Sequence, residues 1–539
     1  MYLSRRKNNT ITSDNLDSKL LYFTIIAIVI TNFIVRLKMF KNIRSFDMSM
    51  IPTVPNFFTY YKLAWILIIS TILIVFLIYK IYKYKQKLEF NFVLLGSGLI
   101  AIATLVSFYL DPIKEVTIWG LFSRNNGLLA YVSLFLLIYV ISLLKVQVKH
   151  ISFMVHALNI VSIVFVIIAI FQFFGLDMTN SLWYKQIYVS NEYKHLIESI
   201  NVSQTLFKET EYYWAPSIFG QVNYFGAYCS VLFPLIMAFA LHEEGVIKKI
   251  LLIIGSMMLF TGTILAQSMG SIMGMLAVLI LITISFVNKR NYKSLILMCV
   301  SYITISAVIN RLTNWRAFSE IYSLVIQIIN SKLVVVVITA IAYITLSILG
   351  KRISKHRYLI ISIAIIAVIL IGTIGYIYIL NNVVESNMNM LSRRGYIWHY
   401  SNELIKENYL FGYGPDNLYY NFPQHNENKI AYMSEDLIDK PHNMYLQIML
   451  DIGIFGLIGF MILLVGTLLK SNKAIDLEND MYKQTYFKAL VLVILAYMIQ
   501  GMVNDNTIAV QSVVYMLMGI GASLTKQTLD KAKLEKAKA

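Results

Sequence analysis

SRRGYIW (392–398), LFGYGPDN (410–417) and PHNMYLQIMLDIGIFG (441–456) punctuate the longest polar segment of a chain that otherwise reads as one apolar run after another. A membrane-crossing chain has no structural need for so long a polar connection. Loops beyond ~12–15 residues are as a rule functional or disordered. This one carries Trp398, Tyr409, Phe411, Tyr413 and several helix-forming stretches. An ordered, working loop is therefore expected over 381–442.

On either side the composition is that of a bilayer protein. Of 539 residues, 58% are hydrophobic and 14% charged, against ~25% charged in ordinary soluble domains. Apolar runs of ~20 residues recur, each long enough to cross a ~30 Å hydrocarbon core. They predict an all-α polytopic membrane protein, one integral membrane domain over 1–539, with about 12–14 transmembrane helices and a large external loop capping a cavity. The runs include 20–35 at the start, a tight hairpin of 248–267 and 270–287, the pair 333–350 and 358–380, and 443–469. Arg5, Arg6 and Lys7 precede the first run with no cleavage site behind it, so that span is expected to be retained. Cys229 and Cys299 lie in apolar runs without metal-ligand or disulfide spacing.

The net charge of +17 does not point to nucleic acid, because the cations fall mostly in short loops, where they report topology. Lys80–Lys87, Lys145 with Lys149, Lys248 with Lys249, Lys289 with Arg290, and Lys351–Arg357 mark the cytoplasmic side. On that parity the long connections 175–221 and 381–442 lie outside, as do the Arg124 loop and the Ser268 turn. Arg36, Lys38, Lys41 and Arg44 disagree. Either the first span is misplaced, or this segment is an interfacial helix on the outer surface.

The chemistry-bearing residues gather on that outer side. Pro441 suits the first turn of a helix, which sets His442 at a helix start, where the neutral imidazole that a general base needs is favoured. An interfacial cap is the plainer role for the same histidine. Arg394 and Trp398 stand four apart and share a helix face. Arginine grips phosphate through a planar fork of donors, so Arg394, with Arg393 beside it, suits a lipid-linked pyrophosphate; pairing with lipid head groups or stacking on Trp398 would explain it as well. Arg124 is a second candidate contact or a snorkelling interfacial residue. Gln221 and Asn223 offer amides to sugar hydroxyls or phosphate, unless Asn223 is only a helix cap. Asp451 and Gly453 interrupt an apolar run, where an ionisable group is costly and so a functional candidate. Asn504-Asp505-Asn506 reads as a turn.

Taken together, RNNG (124–127), SIFGQVNYFG (217–226), RGYIW (394–398), LFGYGPDN and PHNMYLQIMLDIGIFG resemble the O-antigen ligase/polymerase family of integral membrane glycosyltransferases. The resemblance implies a many-helix fold with an external loop over a cavity, in a bacterial plasma membrane with the active site on the external face. It implies a glycan donor on undecaprenyl diphosphate, a glycan, lipid or protein acceptor, and neither metal nor cofactor. His442 matches the family's basic residue and Arg394 its phosphate-binding arginine, with Arg124, Arg393, Gln221, Asn223, Trp398 and Asn443 as substrate-binding candidates. One departure stands out: the hairpin turn where members often carry Ser-Arg-Gly reads Ser268-Met269-Gly270.

The expected reaction is inverting transfer. Arginine charge stabilises the departing diphosphate while His442 takes the acceptor proton; no carboxylate pair of glycosidase type is evident. Polymerisation of surface polysaccharide repeats is the leading expectation, favoured by a composition that hints at an AT-rich bacterial genome. Transfer of a finished glycan to a lipid or protein is the alternative. A flippase would instead place its charges at the bilayer midplane.

Overall fold

A computed structural model of the chain describes residues 2–41, 53–121, 124–198, 214–286, 292–313, 394–422 and 438–538. The predicted spans 333–350 and 358–380 and the candidate Arg393 lie outside these residues. The fold is all-α and polytopic. Seven of the described helices are long and apolar enough to cross a membrane, with three shorter apolar helices beside them.

In chain order the helices are α1 (Tyr2–Thr31), α2 (Tyr60–Tyr84), α3 (Phe92–Leu110), the short α4 (Lys114–Trp119), α5 (Leu128–Leu143), α6 (Val148–Phe173), the short α7 (Leu182–Tyr188), α8 (Val222–His242), α9 (Val246–Leu265), α10 (Met269–Phe286) and α11 (Tyr292–Thr313). After the polar loop begins come α12 (Arg394–Glu407) and one turn, α13 (Leu418–Asn421). Three long helices, α14 (Met444–Leu477), α15 (Met481–Gln500) and α16 (Ile508–Lys538), follow. α8 is apolar on every side and buried along its whole span, as a helix at a bundle's centre must be. It packs on α9, α10 and α15, while α16 packs on α5, and α3 on α14. The α3–α14 crossing is made close by Gly96 and Gly459: a Cβ on Gly96 would stand 2.7 Å from the Gly459 carbonyl oxygen, and one on Gly459 2.6 Å from that of Gly96. Backbones approach this way where small residues face each other between membrane helices. Ile68, Val75 and Ile78 of α2 and Ile102 and Leu105 of α3 remain exposed, facing where lipid tails would lie.

The described part of the Arg36–Arg44 segment, Arg36 to Lys41, is not an interfacial helix, and Arg44 lies outside the described residues. Lys38–Lys41 (β1) pairs antiparallel with Thr53–Asn56 (β2), Lys38 opposite Asn56. Arg36 lies over the Tyr61 ring and Lys38 over that of Tyr60, so aromatic faces, not an apolar helical face, anchor the cations. The Leu37 N–H donates to the Tyr188 carbonyl at 2.9 Å and Thr59 Oγ1 to Asn125 Oδ1 at 2.7 Å. This ladder therefore sits at the end of the bundle where α5 begins. The opposite end is tied by Lys80 to buried Asp17 at 2.5 Å, by the Lys145 N–H to Asp17 at 3.0 Å, and by Ser18 to His150 at 2.8 Å.

Candidate active site

At the ladder end, α14 starts where Pro441-His442-Asn443 turns into helix. The Asn443 side-chain oxygen accepts from the N–H groups of Tyr445 and Leu446 at 2.9 and 3.2 Å, an N-cap. Capping is thus the visible task of this substrate-binding candidate. The Met444 N–H donates to the Gly501 carbonyl at 2.7 Å, and the buried Trp398 indole N–H to the Pro441 carbonyl at 2.8 Å. Trp398 accordingly props the residue before His442 from within a small apolar cluster with Leu404, Leu418 and Leu446. His442 itself adopts φ +50°, a left-handed conformation uncommon outside glycine and concentrated at functional sites.

Held this way, the imidazole is one-quarter exposed and its Nδ1 lies 3.1 Å from Oδ2 of buried Asp505. Burial works against charge on Asp505, but His442, Lys440 and Arg124 outweigh it and hold the carboxyl well below the usual range. Sequence reasoning took Asn504-Asp505-Asn506 for a simple turn. The packing of α15 and α16 against α14 brings Asp505 to His442 instead. Neighbouring Asn504 reaches Ser268 Oγ at 3.3 Å, so the Ser268-Met269-Gly270 turn lies against the same segment.

Lys440 was also missed. Its Nζ donates to Gln221 Oε1 at 3.0 Å and lies 3.4 Å from the Tyr224 hydroxyl. Burial disfavours its charge, yet Tyr224, Asp439 and Asp505 together raise its pKa. Gln221, a candidate from the sequence, thereby positions a cation two residues from His442. Asn223 lies partly exposed in the first turn of α8. Arg394, partly exposed at the start of α12, has its pKa lowered by burial and partly restored by the charge of Asp505. A guanidinium so perturbed still keeps its proton.

Arg124 is more deeply placed than a surface phosphate clamp would be. Its side chain is 3% exposed and pairs with Asp416 at 3.0 Å, and Nη2 donates to the Asp439 carbonyl. Asp416 Oδ2 in turn accepts from the Leu121 and Asn126 N–H groups, both at 3.0 Å, and its own N–H donates to Asp451 Oδ1 at 3.0 Å. Asp451 Oδ2 accepts from the Tyr131 hydroxyl at 3.0 Å. One buried hub thus joins RNNG, LFGYGPDN, the Asp439 carbonyl just ahead of PHN and the helix break. The break is real: Ile452 (φ −139°, ψ 15°) and Gly453 (φ +66°, ψ −165°) leave the helical region. The freed carbonyls of Leu450 and Asp451 accept from the Tyr413 and Gly414 N–H groups at 2.7 and 3.1 Å, and the Ile454 N–H reaches the Tyr409 carbonyl at 2.8 Å. The glycine-rich turn therefore replaces the hydrogen bonds that the broken helix gives up.

Among the described residues no group of three or more His, Cys, Asp or Glu side chains is arranged to hold a metal ion. No curated protein matches the chain significantly. A protein-family model described as O-antigen ligase matches residues 317–461, from before the polar loop to past the helix break. That stretch holds Arg394, Asp416, Lys440, His442 and Asp451, and over it the chain is similar to the O-antigen ligase family, a likeness that points to a glycosyl-transfer enzyme.

Proposed function

We propose that the protein is a glycosyltransferase that uses undecaprenyl-diphosphate-linked glycans on the external face of a bacterial plasma membrane, joining repeat units into a surface polysaccharide. The observation that supports this most is the setting of His442: a strained, partly exposed imidazole backed by the Asp505 carboxylate, with Arg394 and Lys440 at the same end of the bundle.

Asp505 at Nδ1 directs Nε2 outward as the proton acceptor, the arrangement a base needs from its orienting partner. The acceptor hydroxyl attacks the anomeric carbon and gives its proton to Nε2. The bond from that carbon to the phosphate oxygen breaks, and the lipid diphosphate leaves with the electron pair. Arg394 and Lys440 stabilise the charge that develops on it. A single displacement inverts the anomeric centre. Arg393 remains a proposed neighbour of this clamp, and Asn443, Asn223 and Trp398 proposed contributors around it.

The test is transfer from a lipid-linked donor by purified protein. His442→Ala is expected to fold normally, bind donor and lose ~10²–10⁴-fold in turnover. Near wild-type turnover would refute the assignment. The O-antigen ligase description of the matched family favours a second reading, in which a finished glycan is passed to a separate acceptor. Donor alone yielding a product ladder supports polymerisation; strict need for a second acceptor supports ligation.

A further inference from the structure

A cleft opens beside the glycine-rich turn. It has a volume of about 280 Å³ and lies between the end of α3 and the end of α12. Its walls include the rings of Tyr409, Phe411 and Tyr413 with the polar groups of Glu407, Asn408 and Asn421. Tyr409 is 55% exposed. The Tyr413 hydroxyl donates to Glu407 Oε2 at 2.8 Å, which fixes both walls. Phe411 is buttressed from behind by a near-parallel Phe455 ring at 5.6 Å.

We infer that this cleft is a binding subsite for neutral sugar units of the acceptor glycan, remote from the reacting centre. Sugar rings present apolar C–H faces to aromatic rings and hydroxyls to carboxylates and amides, and this lining supplies both kinds of partner. Its charge excludes the obvious competitors. Asp111 and Glu407 line it and no lysine, arginine or histidine does. A diphosphate or an anionic lipid head group would meet like charge from two carboxylates, offset only in part by Lys114, which acts on Asp111 from outside the lining. The inference rests on the reading of the protein as a glycosyltransferase.

The geometry also fixes what kind of acceptor would feel the subsite. On α12 the Trp398 indole meets the Pro441 carbonyl beside His442, and Glu407 at the cleft stands nine residues further along the same helix, roughly 14 Å at 1.5 Å per residue. A one- or two-sugar acceptor held at His442 cannot bridge that distance, whereas a chain of several sugars can. The cleft is therefore a grip on long acceptors only.

The experiment compares acceptors of increasing length with purified wild-type protein, Tyr409→Ala and Tyr409→Trp. The Tyr409 side chain is not part of the proposed reaction centre. For long acceptors, Tyr409→Ala is expected to raise KM about three- to tenfold with kcat unchanged. Short acceptors should show no change, and Tyr409→Trp should restore the long-acceptor KM. Equal losses for short and long acceptors, or no loss for either, would overturn the inference. So would loss of co-purifying phospholipid from Tyr409→Ala in native mass spectrometry without any length dependence, which would make the cleft a lipid seat. Absence of transfer by the wild-type protein would instead refute the underlying activity, so the two failures are distinguishable.

Discussion

At the scale of single residues, the proposed chemistry depends on one carboxylate and two cations around His442. Asp505→Asn should keep the shape of its turn but lose the charge that orients the imidazole; turnover is expected to fall about 10²-fold, with donor binding retained, read as kcat against Kd. The same variant tests a pH effect. The Asp505 carboxyl is held below its ordinary value of ~3.9 by His442, Lys440 and Arg124 against the pull of burial. Its contribution to stability is therefore present above that ordinary value and lost as pH falls through the depressed one. The Tm gap between wild type and Asp505→Asn should narrow on acidification below pH ~4; a gap that widens there would contradict the pairing. Arg394→Lys should transfer poorly although charge is kept, because an ammonium cannot present a planar fork; wild-type activity would mean a point charge suffices. His442 and Arg394 were legible in the sequence because each stands in a local pattern, Pro-His-Asn at a helix start and Arg four before Trp. Asp505 and Lys440 were not. Asp505 reads as turn chemistry until the crossing of three helices sets it against a distant imidazole. Lys440 gains its meaning from Gln221 and Tyr224, more than two hundred residues away in sequence.

At the scale of elements, the broken helix and the turn that repairs it form one unit. Gly453→Ala places a side chain at positive φ, 2.1 Å from the Leu410 carbonyl oxygen. It should cost at least ~1–3 kcal/mol in backbone strain and release the turn, seen as a lower Tm and lower turnover together. The buried Arg124–Asp416 pair should behave as a buried ion pair does. Arg124→Ala alone should destabilise by about 3–5 kcal/mol, because it leaves Asp416 uncompensated, and Arg124→Met with Asp416→Leu should cost less than the sum of the single changes. Additive losses would deny the coupling. The spanning helices were readable because a bilayer demands long apolar runs, and the Asp451–Gly453 interruption was readable because it violates that demand. The β1–β2 ladder was not. Four-residue strands such as Lys-Met-Phe-Lys carry too little alternation to announce themselves, and their partner lies across an intervening segment.

At the scale of the whole molecule, the proposed site and the described basic loops at Lys80, Lys145 and Lys248 occupy opposite ends. Asn191→Cys should be labelled by a membrane-impermeant thiol reagent from outside intact cells, and Glu244→Cys only after lysis; the reverse result would put the proposed site on the wrong side. The native thiols interfere little, Cys229 being buried and Cys299 half-buried. With the site end outward, Arg36, Lys38 and Lys41 have to traverse the bilayer during synthesis, against the bias that keeps cationic loops inside. What opposes that bias is the weight of charge at the other end, Arg5, Arg6 and Lys7 near the start of α1 and Lys80 to Lys87 from the last turns of α2 onward, together with the contact between Asp17 and Lys80. That contact exists only once both helices lie side by side. A chain that ends after α1 therefore lacks this contact, and its orientation rests on flanking charge alone, so α1, the ladder and α2 settle their orientation together, as one hairpin.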